Sequence, residues 1–536
     1  MHTASEVTQS EIACVINSDI ALKEICEKKN LEVYFTRCHD VPSEHLMAKE
    51  KKIVSWKMLD HLKSLIKDMF LPEGYPDSVS SDYLEYQIWD TCQAFCSSIS
   101  GILSMSAVMQ GVGVGSNTAS PVSAAITWIV KDGTGMVGSI VFAWLKGSQL
   151  DSDCKKWRLF ADILNDAAMC LELYLPCALN YSVYLLCLST AMKALVGVAG
   201  SATRAAVSCH QAIQGNTADV AAKDGSQEIF VNLLAYIFGI FLLKNVTETE
   251  YTWYVMCTFI FLHLFCNYKA VSCLRINVYN GERYRLSLRS FLATSDVPTV
   301  EQVNRNESII LGSGVSDKKI FGFDIHLGES LQESVLNQNL SEEDIVFIAS
   351  LFQTKNYLVV PDVRKKEMLV SFRKNCAGTD ILKGYFHAVL TAAAVGLAME
   401  NALPFVKRRR NNSPVSRLQK AIKEYASDKK IDVHKSEVLP VVALLGCLEV
   451  VEREFALFCK LSAQQGWNLD KTLIPVGDWR AVWRHEEEKQ LSQNSLQYKK
   501  KVTYNSSHSA SAKGKKPSHH PNLRQYVNFV PTYPQM

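Results

Sequence analysis

The sequence predicts a mainly α-helical fold, a multi-helix membrane-type module with an internal repeat followed by a smaller α+β domain, and three observations carry that prediction. Residues 91–270 are mostly apolar, whereas the flanks hold most of the charge. From Thr91 to Leu145 the only charged residues are Lys131 and Asp132, and an uncharged apolar run of about 20 residues is what a helix needs to cross a bilayer. After about residue 290 the long apolar runs give way to short strand-like segments set between helical patterns.

With 536 residues the chain is too long for one compact core. Four segments are expected: an N-terminal extension at 1–55, a helical membrane module at 56–290, an α+β domain at 300–485 and a disordered tail at 486–536. Residues 1–50 mix short amphipathic pieces with Lys/Glu runs and suggest an extension of moderate order. A helix over Trp56–Phe70 follows from its apolar spacing and is stopped by LPEGYPD; another begins at Ser80–Gln93. Ala94–Gly115 carries no charge and many Ser and Gly, which permit close helix packing. Ser120–Leu145 is long enough to cross but is interrupted by Lys131-Asp132-Gly133, so it reads as a broken helix. Leu173–Val198 is apolar apart from Lys193, with Pro176 near its start. Ile229–Leu243 and Thr252–Tyr268, joined by a short polar link, read as a helical hairpin. Lys269, Arg275, Arg283, Arg285 and Arg289 follow it, which by the positive-inside bias places the next domain in the cytosol. There YLVVPD (357–362) and MLVSFR (368–373) read as a strand hairpin, and Thr379–Met399, Ser416–Tyr425 and Leu439–Gln465 as helices.

A net charge of +3 with dispersed basic residues gives no argument for nucleic acid. The 16 cysteines form no C-x-x-C pair; Cys92 and Cys96, at helical spacing without a flanking His, read as buried thiols rather than a metal site. The N-terminus lacks the basic start and apolar run of a secretory signal, so an intracellular chain with free thiols is expected.

Three constellations could carry chemistry. Lys131-Asp132-Gly133 recurs as Lys223-Asp224-Gly225, and at that offset of 92 Ala143, Trp144, Leu145 and Gly147 meet Ala235, Tyr236, Ile237 and Gly239. Asn117-Thr118-Ala119 leads the first by 14 residues and Asn216-Thr217-Ala218 the second by 7. Repeated helices broken at polar sites are a transporter device; helix-end turns, with Gly closing one helix and Asp capping the next, are the competing explanation. On a helix Asp162, Asn165, Asp166 and Glu172 share one face, free to pair with Lys131 or Lys223, to face water, or to bind a cation or substrate. Arg204, His210, Asp219 and Lys223 are polar points on a small-residue helix, where a hydrogen-bonded His is commoner than an acid/base one. GVGVG at 111–115 lacks the strand and the Lys-Ser/Thr of a phosphate loop. The ligand-binding candidates are therefore Lys131, Asp132, Asp162, Asp166, Lys223 and Asp224, with no catalytic residue and no metal ligand identified.

LPEGYPDSVSSDYLEYQIWD (71–90), QGVGVG, TWIVKDGTGMVGSIVFAWLKGS, KKWRLFADILNDAAM, ATRAAV, ADVAAKDGSQE, NYKAVSCLRI and, more loosely, GWNLDK…GDWRAVW resemble the root UVB sensitive (RUS) family over roughly 56–485. The chain looks like an animal member of it. The resemblance implies a membrane protein and, from the plant members, an association with UV-B sensitivity and vitamin B6 homeostasis. It carries over no catalytic residue. A non-enzymatic transport or membrane-scaffold protein is expected, with room for assembly with itself or with another family member. The alternative is a protein that handles pyridoxal phosphate through Lys131 or Lys223, a cofactor implied by the family association alone.

Overall fold

Among the described residues the long apolar runs of the sequence fold mostly as helix. The computed structural model describes residues 20–26, 31–37, 46–52, 58–111, 121–245, 249–332, 335, 342–398, 410–429 and 439–483. In chain order the elements are β1 (Ile20–Cys26), β2 (Leu31–Arg37), β3 (Leu46–Lys52), α1 (Met58–Phe70), α2 (Tyr83–Gly111), α3 (Pro121–Leu150), α4 (Cys154–Tyr174), α5 (Ser182–Gln211), α6 (Thr217–Asn245) and α7 (Thr249–Cys273). They continue with β4 (Val278–Tyr279), α8 (Gly281–Thr294), α9 (Val300–Asn306), α10 (Asp317–Phe321), β5 (Asp324–Leu327), α11 (Glu342–Leu351), β6 (Tyr357–Asp362), β7 (Glu367–Phe372), α12 (Gly378–Ala398), α13 (Pro414–Lys429), α14 (Leu439–Gln464) and β8 (Asn468–Thr472). The mainly helical class with a smaller strand-containing part is the expected one. The elements fall into two units, one within Met1–Val79 and Ala212–Ile229, the other within Ser80–Gln211 and Phe230–Met536.

In the first unit β1, β2 and β3 form an antiparallel sheet in that order, with Lys23 opposite Tyr34 and Val33 opposite Glu50. Strands stand here where the sequence suggests only an extension, because Lys and Glu runs mask the alternation of Leu31, Val33 and Phe35. Helix α1 stops at the expected Pro-Gly-Pro turn, and Val79 bridges to Ala212.

In the second unit α2 lies along α7, α3 along α5, and α4 against α2, α5 and α7. Gly135 and Gly138 bring α3 close to α5: a Cβ added at Gly135 would stand 3.0 Å from Thr190 Cγ2, and one at Gly138 would stand 3.6 Å from Leu195 Cδ1. Among the described residues four helical segments are long and apolar enough to cross a membrane, Tyr83–Gly111, Leu179–Gln211, Thr217–Asn245 and Tyr251–Cys273. Helix α3 is not among them, yet Ile129, Met136, Ile140 and Trp144 leave it with an exposed apolar face.

Two features differ from expectation. Helix α3 runs unbroken through Lys131-Asp132-Gly133, and α6 through Lys223-Asp224-Gly225. Both the broken helix and the helix-end turn are thereby corrected: an interior glycine costs a helix only about 1 kcal/mol, which long apolar flanks readily offset. Ser80–Gln93 and Ala94–Gly111 likewise form one helix rather than two.

The expected hairpin is present as β6 and β7, with Val359 opposite Val370, and β5 joins β7 in parallel to give the order β5-β7-β6. Helix α12 begins where GTD predicts, the Asp380 carboxylate accepting from the Ala377 amide at 2.9 Å. Tyr284, Phe291, Phe386 and Phe458 form an aromatic centre beneath it. The tail expected at 486–536 and the Asn117-Thr118-Ala119 lead-in lie outside the described residues.

Candidate functional site

Helix geometry explains why polar residues collect between α2, α4 and α7. Side chains three or four apart share a helix face, so Arg158, Asp162 and Asp166 line one stripe of α4, Tyr86, Asp90 and Gln93 a stripe of α2, and His263 and Asn267 a stripe of α7. The three stripes meet. Arg158 Nη2 donates to Asp90 Oδ1 at 2.5 Å, and its guanidinium lies over the Tyr86 ring. Gln93 Nε2 donates to Asp162 Oδ2 at 2.7 Å and stands 3.3 Å from His263 Nε2. His263 Nδ1 lies 2.8 Å from Asp166 Oδ2. Further along, Glu172 of α4 accepts from Ser104 of α2 and from Lys193 of α5, the latter at 2.5 Å.

Burial makes this row costly. His263 is fully buried and Asp166 is 3% exposed, and a buried charge is tolerated only when paired and hydrogen-bonded. Four carboxylates, of Asp90, Asp162, Asp166 and Glu172, meet two permanent cations, Arg158 and Lys193. With a neutral His263 and all four carboxylates ionised, the formal charges of these described residues sum to two negative. Buried polar atoms also stand without a hydrogen-bond partner: Asp166 Oδ1, Gln93 Oε1 and both polar atoms of the Asn267 amide.

The candidates read from the sequence divide. Asp162 and Asp166 come together in this row, but their partners are Gln93 and His263 rather than the lysines expected. Lys131 Nζ pairs with its neighbour Asp132 at 3.1 Å and lies 4.2 Å from the centre of the Trp128 ring, with the Asp132 side chain 59% exposed. Lys223 and Asp224 belong to the first unit. There Lys223, Ser226 and Gln227 donate to the carbonyls of Asp68, Met69 and Phe70, the last residues of α1. Those carbonyls have no partner within their own helix, so the second Lys-Asp-Gly segment caps α1. His210 is the hydrogen-bonded kind, 2.9 Å from Asp82 Oδ2, which also accepts from the Arg275 amide at 2.6 Å.

Sequence reasoning missed His263, Gln93, Asp90 and Arg158. His263 left a signal: it is the lone acidic or basic side chain of Thr252–Tyr268. Gln93 left none, since an uncharged amide looks like any other polar residue in a helix.

A second buried network surrounds Glu307. Lys155 Nζ lies 3.1 Å from its Oε2, Arg283 Nη1 lies 3.2 Å from both of its oxygens, and Asn280 Nδ2 donates to its Oε1 at 2.9 Å. Lys155 also donates to the Leu274 carbonyl at 2.8 Å and to Asn304 Oδ1 at 2.7 Å. These contacts tie α4 to α8 and α9, with Arg283 Nη2 left buried and without a hydrogen-bond partner.

Residues 56–295 match the family described as a vitamin B6 photo-protection and homoeostasis domain, and residues 296–483 match the root UVB sensitive protein C-terminal family. RUS family member 1 of Dictyostelium discoideum is 38% identical over 307 residues, 55% of this chain and 56% of that protein. Root UVB sensitive 3 of Arabidopsis thaliana is 30% identical over 430 residues, 79% of this chain and 87% of that protein. The chain thus spans about half of the first relative and most of the second. Root UVB sensitive 6 of the same plant is 24% identical over 423 residues, 78% of each chain. No solved structure matches the chain.

Proposed function

Because the chain belongs to the root UVB sensitive (RUS) family, we propose that it is a multi-pass protein of an intracellular membrane, with a non-enzymatic transport role, and that the polar row between α2, α4 and α7 is its working site. One observation carries this reading: ionisable side chains are enclosed by helices whose outward residues, such as Ile88, Met105, Ile163 and Phe261, are apolar and exposed. Ionisable groups inside apolar segments mark solute and proton paths. Vitamin B6 names the matching domain family, so a B6 vitamer is the first solute to test. In this reading the partners are the membrane and a second copy or another family member, and the α+β part lies on the cytosolic side.

A protein that binds pyridoxal phosphate through Lys131 is less favoured. The Asp132 carboxylate, 3.1 Å from the Lys131 ammonium, repels a phosphate. A membrane-scaffold role without a solute would leave the uncompensated charge of the row without a use. Extraction of membranes with alkaline carbonate tests the embedding: the protein stays in the pellet, and release to the supernatant contradicts it.

A further inference from the structure

Helix α1 has two distinct faces. At about 100° per residue Leu59, Leu62, Leu65, Ile66 and Met69 fall within an arc of about 120°, and Asp60, Lys63, Lys67 and Asp68 lie outside it. An apolar stripe of that width ordinarily faces a core. Here it faces outward: every residue from Lys63 to Met69 is exposed, Leu65, Ile66 and Met69 among them. Only the end of the helix is held. Lys223, Ser226 and Gln227 of α6 donate to the carbonyls of Asp68, Met69 and Phe70, the last at 2.6 Å, while the earlier turns do not pack along α6.

The level of that clasp on α6 points to what covers the arc. Glu228 ends the polar first part of α6, and no charged residue follows until Lys244. Within that uncharged stretch Ile229, Phe230, Leu233, Ile237 and Phe241 are exposed, so in the membrane reading the hydrocarbon begins near Ile229. At 1.5 Å per residue the clasp lies about 3–9 Å before it, from Gln227 back to Lys223. A headgroup layer is about 5–8 Å deep, and an amphipathic helix held at that depth buries its apolar arc at the boundary between headgroups and acyl chains. Charge selects the kind of surface. Asp60, Lys63, Lys67 and Asp68 sum to zero, which matches zwitterionic lipid and gives no pull towards an acidic or a basic partner; the aliphatic stems of Lys63 and Lys67 let their ammonium groups reach the phosphates. We propose that α1 is an interfacial helix, lying on the bilayer surface with Leu65, Ile66 and Met69 in zwitterionic lipid, and that Lys223, Ser226 and Gln227 of α6 set its depth.

This contact rests on the membrane reading and adds to it a helix that lies on the lipid rather than crossing it; one experiment separates the two. The full chain is placed in phosphatidylcholine nanodiscs with a polarity-sensitive fluorescent amino acid in place of Ile66, Lys67 or Ile237, one position at a time. Ile66 and Ile237 are exposed apolar residues and Lys67 an exposed polar one, so the exchange disturbs little packing. Three quenchers are compared: a lipid nitroxide near the headgroup, a lipid nitroxide near the end of the acyl chain, and iodide in the water. At position 66 the headgroup-level nitroxide is expected to remove most of the emission and iodide little of it. At position 67 iodide is expected to be the stronger quencher, and at position 237 the chain-end nitroxide. Quenching of position 66 by iodide places the arc in water, and quenching by none of the three places it against protein; either result overturns the proposal. Equal lipid quenching at 66 and 67, or quenching at 66 that appears only when anionic lipid is added, overturns it too. A negative result at 66 with acyl-chain contact at 237 removes the interfacial helix alone, whereas absence of lipid contact at 237 removes the membrane reading with it.

Discussion

Glu307 shows what a single buried charge contributes when its surroundings are complete. Burial alone would raise its carboxyl, but the Arg283 guanidinium, the Lys155 ammonium and the Asn280 amide outweigh that and hold it at about 2. A depressed carboxyl stabilises the fold above its unfolded value of about 4.3, by roughly 3 kcal/mol for a shift of this size, and loses that contribution as pH falls towards 2. Glu307→Gln is therefore expected to lower thermal stability at pH 7 and to flatten the acid side of the stability profile between about pH 4.5 and 2, measured by calorimetry of the purified chain. His263 and Asp166 form the contrasting case, a pair with one carboxylate oxygen unsatisfied. Replacing Asp166 alone by Leu leaves the imidazole without its acceptor, and such losses run to about 3–5 kcal/mol when an ion pair is broken in the interior. The double variant Asp166→Leu with His263→Leu is expected to regain stability over Asp166→Leu alone; additive losses would mean that the two do not interact. The carboxylates were legible in the sequence because Asp162 and Asp166 stand one turn apart on an apolar helix. Their partners were not, because His263 lies 97 positions on from Asp166 and nothing local links them.

Among elements, the two Lys-Asp-Gly helices separate what a motif looks like from what it does. Both segments are helical throughout, and a Cβ added at Gly133 would meet nothing within 4 Å, whereas one at Gly135, two residues on, would meet Thr190 of α5. Gly133→Ala is accordingly expected to leave stability unchanged or raised by about 0.5–1 kcal/mol through helix propensity. Gly135→Leu, which pushes α3 off α5, is expected to cost about 1–3 kcal/mol. Thermal unfolding of the two variants checks this, and loss of the folded protein in Gly133→Ala would contradict an unbroken helix. Long helices, the β6–β7 hairpin and α12 to α14 were legible because period, length and stop residues agree. The continuity of α3 was not, since a charged pair followed by glycine reads locally as a break and only the flanking apolar turns decide otherwise. Nor was the capping of α1 by Lys223, Ser226 and Gln227, which joins residues more than 150 positions apart.

For the whole molecule, an exposed apolar surface and an interior row of charge support the same reading. An exposed apolar patch this long is rare on a soluble monomer, and an interior with excess charge is rare unless it has a use. Of the cations that follow the Thr252–Tyr268 run, Arg283, Arg285 and Arg275 are engaged with Glu307, Asp317 and Glu301, which leaves Lys269 and Arg289 to supply the positive-inside bias. Protease added to intact organelles from the cytosolic side is expected to remove the α+β part; protection of it would reverse the orientation. The most direct measurement compares proteoliposomes holding equal amounts of the unsubstituted chain, His263→Leu and Lys131→Met in uptake of a labelled B6 vitamer. Uptake by the unsubstituted chain and by Lys131→Met, with none by His263→Leu, is the result expected of a working row between α2, α4 and α7. Uptake that survives His263→Leu, or that is lost in Lys131→Met alone, contradicts it.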